Sequence, residues 1–341
     1  VCRGAYTPAH DIFGIFPLFP TFATPFTNCS MFLTKIKSKE SGLLLYGITP
    51  PKSQTAPEKV SEIAEKTLAR LQGLDIDALI VYDVQDESSR TSEERPFPFI
   101  TALDPFDFAR QHLAPLTIPK IIYRPAGKFT QDELRQWVGD LTQQGFYPVF
   151  VGVPSPDFTP VTSLPDAYAV WREFDQNSII GAVTIPERHA VLNDEDQRIL
   201  DKVASGVSYF VSQCVFNVAY AKQMLTAVVN TCQAQQLPLP TFVFTITACG
   251  SKKTLHFMEW LGIHVPDSVK ETLLESENIL ETSVNLCLQI ADELIEFCAE
   301  HAIPFGFNIE SVAIRKDEIE ASIYMVNQLR DRLVAKGLRN N

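Results

Sequence analysis

The sequence predicts an α/β protein of the closed (β/α)8 class, a TIM barrel, with an extra helical insertion before the eighth strand. Three observations predict it. Eight short β-rich runs are nearly continuous in apolar residues rather than alternating, the pattern of strands buried on both faces of a parallel sheet. Amphipathic helical segments separate those runs, as the βα repeat requires. The competing open doubly wound sheet would usually carry a glycine fingerprint near its first strand. Here no two of the fifteen glycines stand at i, i+2, so G-x-G-x-x-G is absent, and a Walker A loop is absent too.

The runs are Leu43–Ile48, Ala78–Val84, Lys120–Arg124, Val149–Val153, Ile179–Ile185, Tyr209–Phe216, Thr241–Thr247 and Pro304–Ile309. After the first run, Val60, Ile63, Ala64, Leu68 and Leu71 share one helical face, and Thr55-x-x-Glu58 with Pro57 reads as the start signal. Thr130-x-x-Glu133 opens a later helix in the same way. Beyond a helix at Ser251–Gly262 the chain adds Val265–Ser276 before a long helix marked by Val284, Leu288, Ala291, Ile295 and Cys298. The added piece is expected to cover the barrel flank rather than to act as a lid. The last helix is expected from about Lys316 to Val334.

The first thirty residues are set apart. They hold four prolines among five phenylalanines, with only Arg3 and Asp11 formally charged, a poor helix and a poor signal-peptide core. Residues 1–30 are expected to be an N-terminal extension and residues 31–341 a single barrel domain, with an ordinary start at Met31.

Of 341 residues, 45% are hydrophobic and 21% charged, which excludes a disordered or low-complexity chain. The net charge of −12 disfavours broad capture of nucleic acid or an anionic membrane surface. No run is long and apolar enough to span a bilayer. Seven scattered cysteines without a Cys-x-x-Cys pair speak against a disulfide framework or a structural zinc site and for a reducing, cytoplasmic setting.

In this fold the site lies at the C-terminal ends of the strands. Those ends offer Gly47; Tyr82, Asp83 and Asp86; Tyr123 and Arg124; Gly152 and Val153; Glu187, Arg188 and His189; Gln213; Thr245 and Thr247; and Asn308 and Glu310. The set is polar but has no metal-ligand spacing and no nucleophile elbow, so a metal centre is not expected. His189 lies in a segment read as a loop, where a solvated histidine is at least as common as a functional one. Gln213 interrupts an apolar strand, and a buried amide there must bond either a neighbouring strand or a heterocycle in the mouth.

Four stretches resemble the methylenetetrahydrofolate reductase family, whose catalytic domain is a flavin-binding (β/α)8 barrel: YGITPPK (46–52), IPERHA (185–190), LDKVASGVSYFVSQCVF (200–216) and TLHFMEWLGIHVPDSV (254–269). The resemblance spans about residues 43–333. It implies flavin contacts for His189, Glu195 and Lys202 and a pterin contact for Gln213. The same resemblance places the family's strand-one glutamate, its general acid, at Gly47, and its Arg-Gly-Asp after strand four at Val151-Gly152-Val153. Glycine cannot transfer a proton, so a catalytic residue is unassigned, with Asp83 and Glu187 as weak substitutes.

The resemblance thus implies a divergent flavin-dependent oxidoreductase of one-carbon metabolism, with FAD as cofactor, NADH or NADPH as electron donor and a folate or related pterin as substrate. The lost residues keep two alternatives open: a non-redox folate-binding barrel or partner subunit, and a folate-linked methyl transferase. A homo-oligomer is compatible with the amount of helical surface.

Overall fold

A computed structural model of the chain describes residues 27–88, 91–153, 158–174 and 178–340. Eight parallel strands close into a barrel in sequence order, β1 pairing with β8. They are β1 (Leu43–Ile48), β2 (Ala78–Val81), β3 (Lys120–Pro125), β4 (Tyr147–Val151), β5 (Gly181–Thr184), β6 (Tyr209–Cys214), β7 (Thr241–Thr247) and β8 (Phe305–Glu310). The (β/α)8 expectation is met, and each run holds a strand.

Twelve helices are described: α1 (Thr27–Ser38), α2 (Pro57–Leu71), α3 (Pro105–His112), α4 (Gln131–Gln143), α5 (Leu164–Arg172), α6 (Pro186–Leu192), α7 (Glu195–Ala204), α8 (Val218–Gln235), α9 (Lys252–Trp260), α10 (Asp267–Glu275), α11 (Ile279–Glu300) and α12 (Lys316–Ala335). The Thr130–Glu133 capping box opens α4 as expected, both reciprocal bonds being present. The Thr55–Glu58 pair does not cap α2. Ala56 holds the cap position without a side-chain bond, and Pro57 alone sets the first turn. In the long helix α11, Val284, Leu288, Ala291, Ile295 and Cys298 are all buried. The insertion forms α10, which packs against α11 on the flank.

The core has two layers. Residues facing inward from the strands, including Leu43, Leu45, Ala78, Ile80, Ile121, Tyr123, Tyr147, Val149, Tyr209 and Val211, fill the barrel, while the alternate positions pack against the helices. Helix α1 closes the N-terminal end: Phe32 and Ile36 are buried in the inner cluster, and the Phe32 ring meets Tyr147 and Tyr209 edge-on at 5.5 and 5.9 Å. Residues 1–26 of the expected extension lie outside the described residues, and α1 runs through the boundary placed at residue 30. Five described cysteines are buried free thiols. Among the described residues no helix is long and apolar enough to cross a membrane, and no group of side chains has metal-binding geometry.

Candidate functional site

Alternation along each strand decides which strand-end residues enter the mouth. Leu43 and Leu45 face inward on β1, so Gly47 does too, and it pairs in register with Glu310 of β8. Asn308 and Glu310 lie two apart on β8 and share the inward face. Tyr82 follows Ile80 on β2 into the same space.

These residues form a polar floor. Asn308 Nδ2 donates to Tyr82 Oη at 2.8 Å and to Thr245 Oγ1 at 3.3 Å, using both its N–H bonds and leaving Oδ1 buried without a partner among the described residues. The Tyr82 hydroxyl also hydrogen-bonds Glu310, and the Cys214 thiol donates to Glu310 Oε1 at 3.4 Å. Thr247 Oγ1 donates to the Glu310 carbonyl at 3.0 Å. Burial holds Glu310 above the ordinary carboxyl range, and Tyr82 and Cys214 well above theirs. Cys214 therefore stands as a thiol. It faces inward because β6 carries a register shift between Val211 and Cys214, which sets Cys214 opposite Thr245.

The same shift turns Gln213 away. Its amide donates to the Leu261 carbonyl at 3.1 Å, in the turn that ends α9 rather than in a neighbouring strand. Glu187, in the first turn of α6, lies at the rim. Its carboxyl accepts from its own backbone N–H and from that of His264, Oε2 is buried without a partner among the described residues, and burial raises its pKa to about 7. Asp83 faces outward instead, 3.7 Å from Arg124, whose guanidinium bonds Asp104 at 2.9 Å and packs on Phe129 and Trp137.

The residues expected to hold a flavin sit behind the wall. His189 is not in a loop: Pro186 starts a helical turn that persists until Asn193, at φ 52°, ends it, and the imidazole is 1% exposed. Glu195 is fully buried. Its Oε1 accepts from Thr184 Oγ1 and Ile185 N, both at 3.1 Å, and its Oε2 from Arg188 at 3.0 Å. Lys202 Nζ donates to the Val183 carbonyl at 2.7 Å, and burial lowers its pKa to about 8. With two side chains inaccessible and the third bonded to the barrel backbone, these residues do not fit a flavin cradle.

A roof covers part of the mouth. The connection after β2 reaches α9, which follows β7: Trp260 Nε1 donates to the Glu93 carbonyl at 3.1 Å, and the Arg95 guanidinium lies among the rings of Phe99, Phe257 and Trp260 at 4.9–5.6 Å. In the barrel order β1 and β8 stand between β2 and β7, so these contacts tie together the two sides of the Gly47–Glu310 pair. The residues that sequence reasoning left unassigned are therefore Glu310, Asn308, Tyr82 and Cys214. The signal that could have found Asn308 and Glu310 was two polar residues at i, i+2 ending an apolar strand. A cavity of about 540 Å³ lies between α3 and α4 on the outer flank, with Arg124 from the end of β3 in its lining.

No family model matches the chain, and no curated protein does either. Among solved structures, a protein from Clostridium thermocellum that binds two copies of 5-methyl-5,6,7,8-tetrahydrofolic acid is 42% identical, with 88% of this chain and 99% of that one covered and a TM-score of 0.78. Weaker likenesses are the dihydropteroate synthase of Xanthomonas albilineans (12% identity, 87% and 94% covered, TM-score 0.44) and an oxaloacetate acetylhydrolase (12%, 93% and 91%, 0.46), too distant to bear on function. On identity and coverage together, this chain belongs to the family of the Clostridium thermocellum protein.

Proposed function

We propose that this chain is a non-redox barrel of one-carbon chemistry that binds a reduced folate of the 5-methyltetrahydrofolate kind, with the pterin at the strand ends. The observation that carries this is the 42% identical relative, nearly all of whose length is matched and which binds that ligand. The mouth supports it. A flat, polar heterocycle needs a few converging polar groups within apolar walls. Here Glu310, Tyr82 and Glu187 stand with Val151, Val183 and Ile185, all half-buried.

The reductase reading draws its support from the sequence resemblance alone, because His189 and Glu195 are buried and Lys202 is bonded to the Val183 carbonyl. Methyl transfer needs a nucleophilic acceptor. The one thiol on the floor, Cys214, is held protonated by burial and by Glu310, whereas the thiolate is the reactive form.

Isothermal titration with 5-methyltetrahydrofolate tests the reading. Binding is expected, with a stoichiometry of two if the relative's behaviour carries over. Absence of both heat and a thermal shift would overturn it. Incubation with FAD followed by desalting separates the redox alternative: retained absorption near roughly 370 and 450 nm, reduced by NADH or NADPH, would favour the reductase.

A further inference from the structure

We propose that Glu310 is the residue that reads the amino-pyrimidine edge of the pterin, a carboxylate supplied by β8 beside the place that Gly47 leaves without a side chain on β1. This deepens the folate reading above and rests on it.

The geometry is specific about where a carboxylate can stand. A Cβ on Gly47 would lie 2.7 Å from Tyr82 Cε2 and 3.0 Å from its hydroxyl oxygen, so the tyrosine ring fills that space. Tyr123 meets the ring edge-on at 4.8 Å and Asn308 bonds its hydroxyl, which fixes it from two further strands. The carboxyl of the neighbouring strand is then aimed by Tyr82 and Cys214. Asn308, fully buried, acts through these groups as a positioning residue. Glu310 itself keeps exposed surface, and it forms no ion pair among the described residues.

A 2-amino-4-oxopyrimidine presents two parallel N–H donors, on the ring nitrogen and the amino group. A carboxylate accepts both at once, as it does from a guanidinium. Only the ionised form does this fully. The groups facing Glu310 are Tyr82 and Tyr123 from the β2 and β3 ends and Cys214 from β6, with Glu187 beyond the thiol, while Tyr46 points outward to Ser322 of α12; among the described residues none of these is cationic. Burial therefore opposes ionisation, while the pterin edge calls for the ionised form. Affinity then rises with pH until Glu310 is ionised in the free protein.

The experiment is calorimetric titration of 5-methyltetrahydrofolate and of its analogue lacking the 2-amino group, from pH 5.5 to 8.5. It compares the wild type with Glu310→Gln, the nearest isostere, and with the same substitution in a Glu187→Gln background that removes the other mouth carboxyl from the titration. Glu310→Gln is expected to weaken the parent ligand by about ten- to a hundredfold at pH 8, with the ratio shrinking toward acid. The analogue is expected to bind weakly and to lose little more on substitution. Equal affinity of wild type and Glu310→Gln, equal binding of analogue and parent, or an affinity ratio that grows toward acid would each overturn the assignment while leaving folate binding intact. No binding by a folded wild type would overturn the folate reading itself, and this one with it.

Discussion

Glu187 carries its carboxyl in a place where water reaches it poorly and no cation answers it, so its pKa rises from the ordinary 4.5 to about 7. Between those two values the folded chain keeps a proton that the unfolded chain has released, so stability falls as pH rises through that window. Glu187→Gln removes the titration and keeps the shape. Relative to wild type, the variant is expected to gain about 1–3 kcal/mol between pH 5 and pH 8, a range lowered from the full shift because part of the side chain still reaches water. Urea unfolding at the two pH values measures the gain, and a difference that does not change with pH would contradict the assigned burial. The neighbouring lesson is Gly47. A carboxylate cannot be restored there by substitution, since even a methyl group meets the Tyr82 ring at 2.7 Å.

At the scale of elements, local chemistry was legible wherever it closed locally. The capping box of Thr130 and Glu133 involves a threonine hydroxyl and a carboxylate three residues apart, and nothing distant competes for either. Thr130→Ala is expected to cost about 1 kcal/mol in urea unfolding with the folate affinity unaltered, because α4 lies on the outer layer; a loss below about 0.3 kcal/mol would show that the box is not holding the helix. The eight strands were legible for a similar reason, their apolar runs answering to burial on both faces. What was not legible depends on other parts of the chain. His189 was read as a loop residue because the run from Pro186 to Leu192 is too short to show a helical period, yet packing against α8 buries it. The register shift in β6 that points Cys214 inward and Gln213 toward Leu261 leaves no mark in a continuous apolar strand. Glu195 and Lys202 follow the same rule: their charges are spent on the barrel wall, a destination that spacing does not encode.

At the scale of the whole molecule, the barrel is closed twice, by hydrogen bonds between β8 and β1 and by a charged latch at the N-terminal end. Arg339, beyond α12, bonds both carboxylate oxygens of Asp75 at 2.6 and 2.7 Å, Asp77 Oδ2 at 2.6 Å and the Gly42 carbonyl at 3.2 Å. Lys35 of α1 meets the other oxygen of Asp77 at 2.6 Å, and Asp77 Oδ2 also accepts from Leu44 N at 2.8 Å. One cluster thus joins the bottom helix, the entries to β1 and β2 and the C-terminal segment. The Arg339 and Asp77 side chains are 5% and 3% exposed, so salt screens this pair little, and removing Arg339 leaves buried Asp77 with Lys35 as its remaining cation. Arg339→Met keeps much of the apolar stem and is expected to cost about 3 kcal/mol or more in urea unfolding, nearly independent of salt between 50 and 500 mM, where screening lengths run from roughly 14 down to 4 Å. Because the latch precedes the strands and the mouth follows them, the folded variant should bind the reduced folate as the wild type does. A small, salt-sensitive loss would instead mark the latch as a surface ion pair, and an unchanged stability would mean that β8 and β1 close the barrel without it.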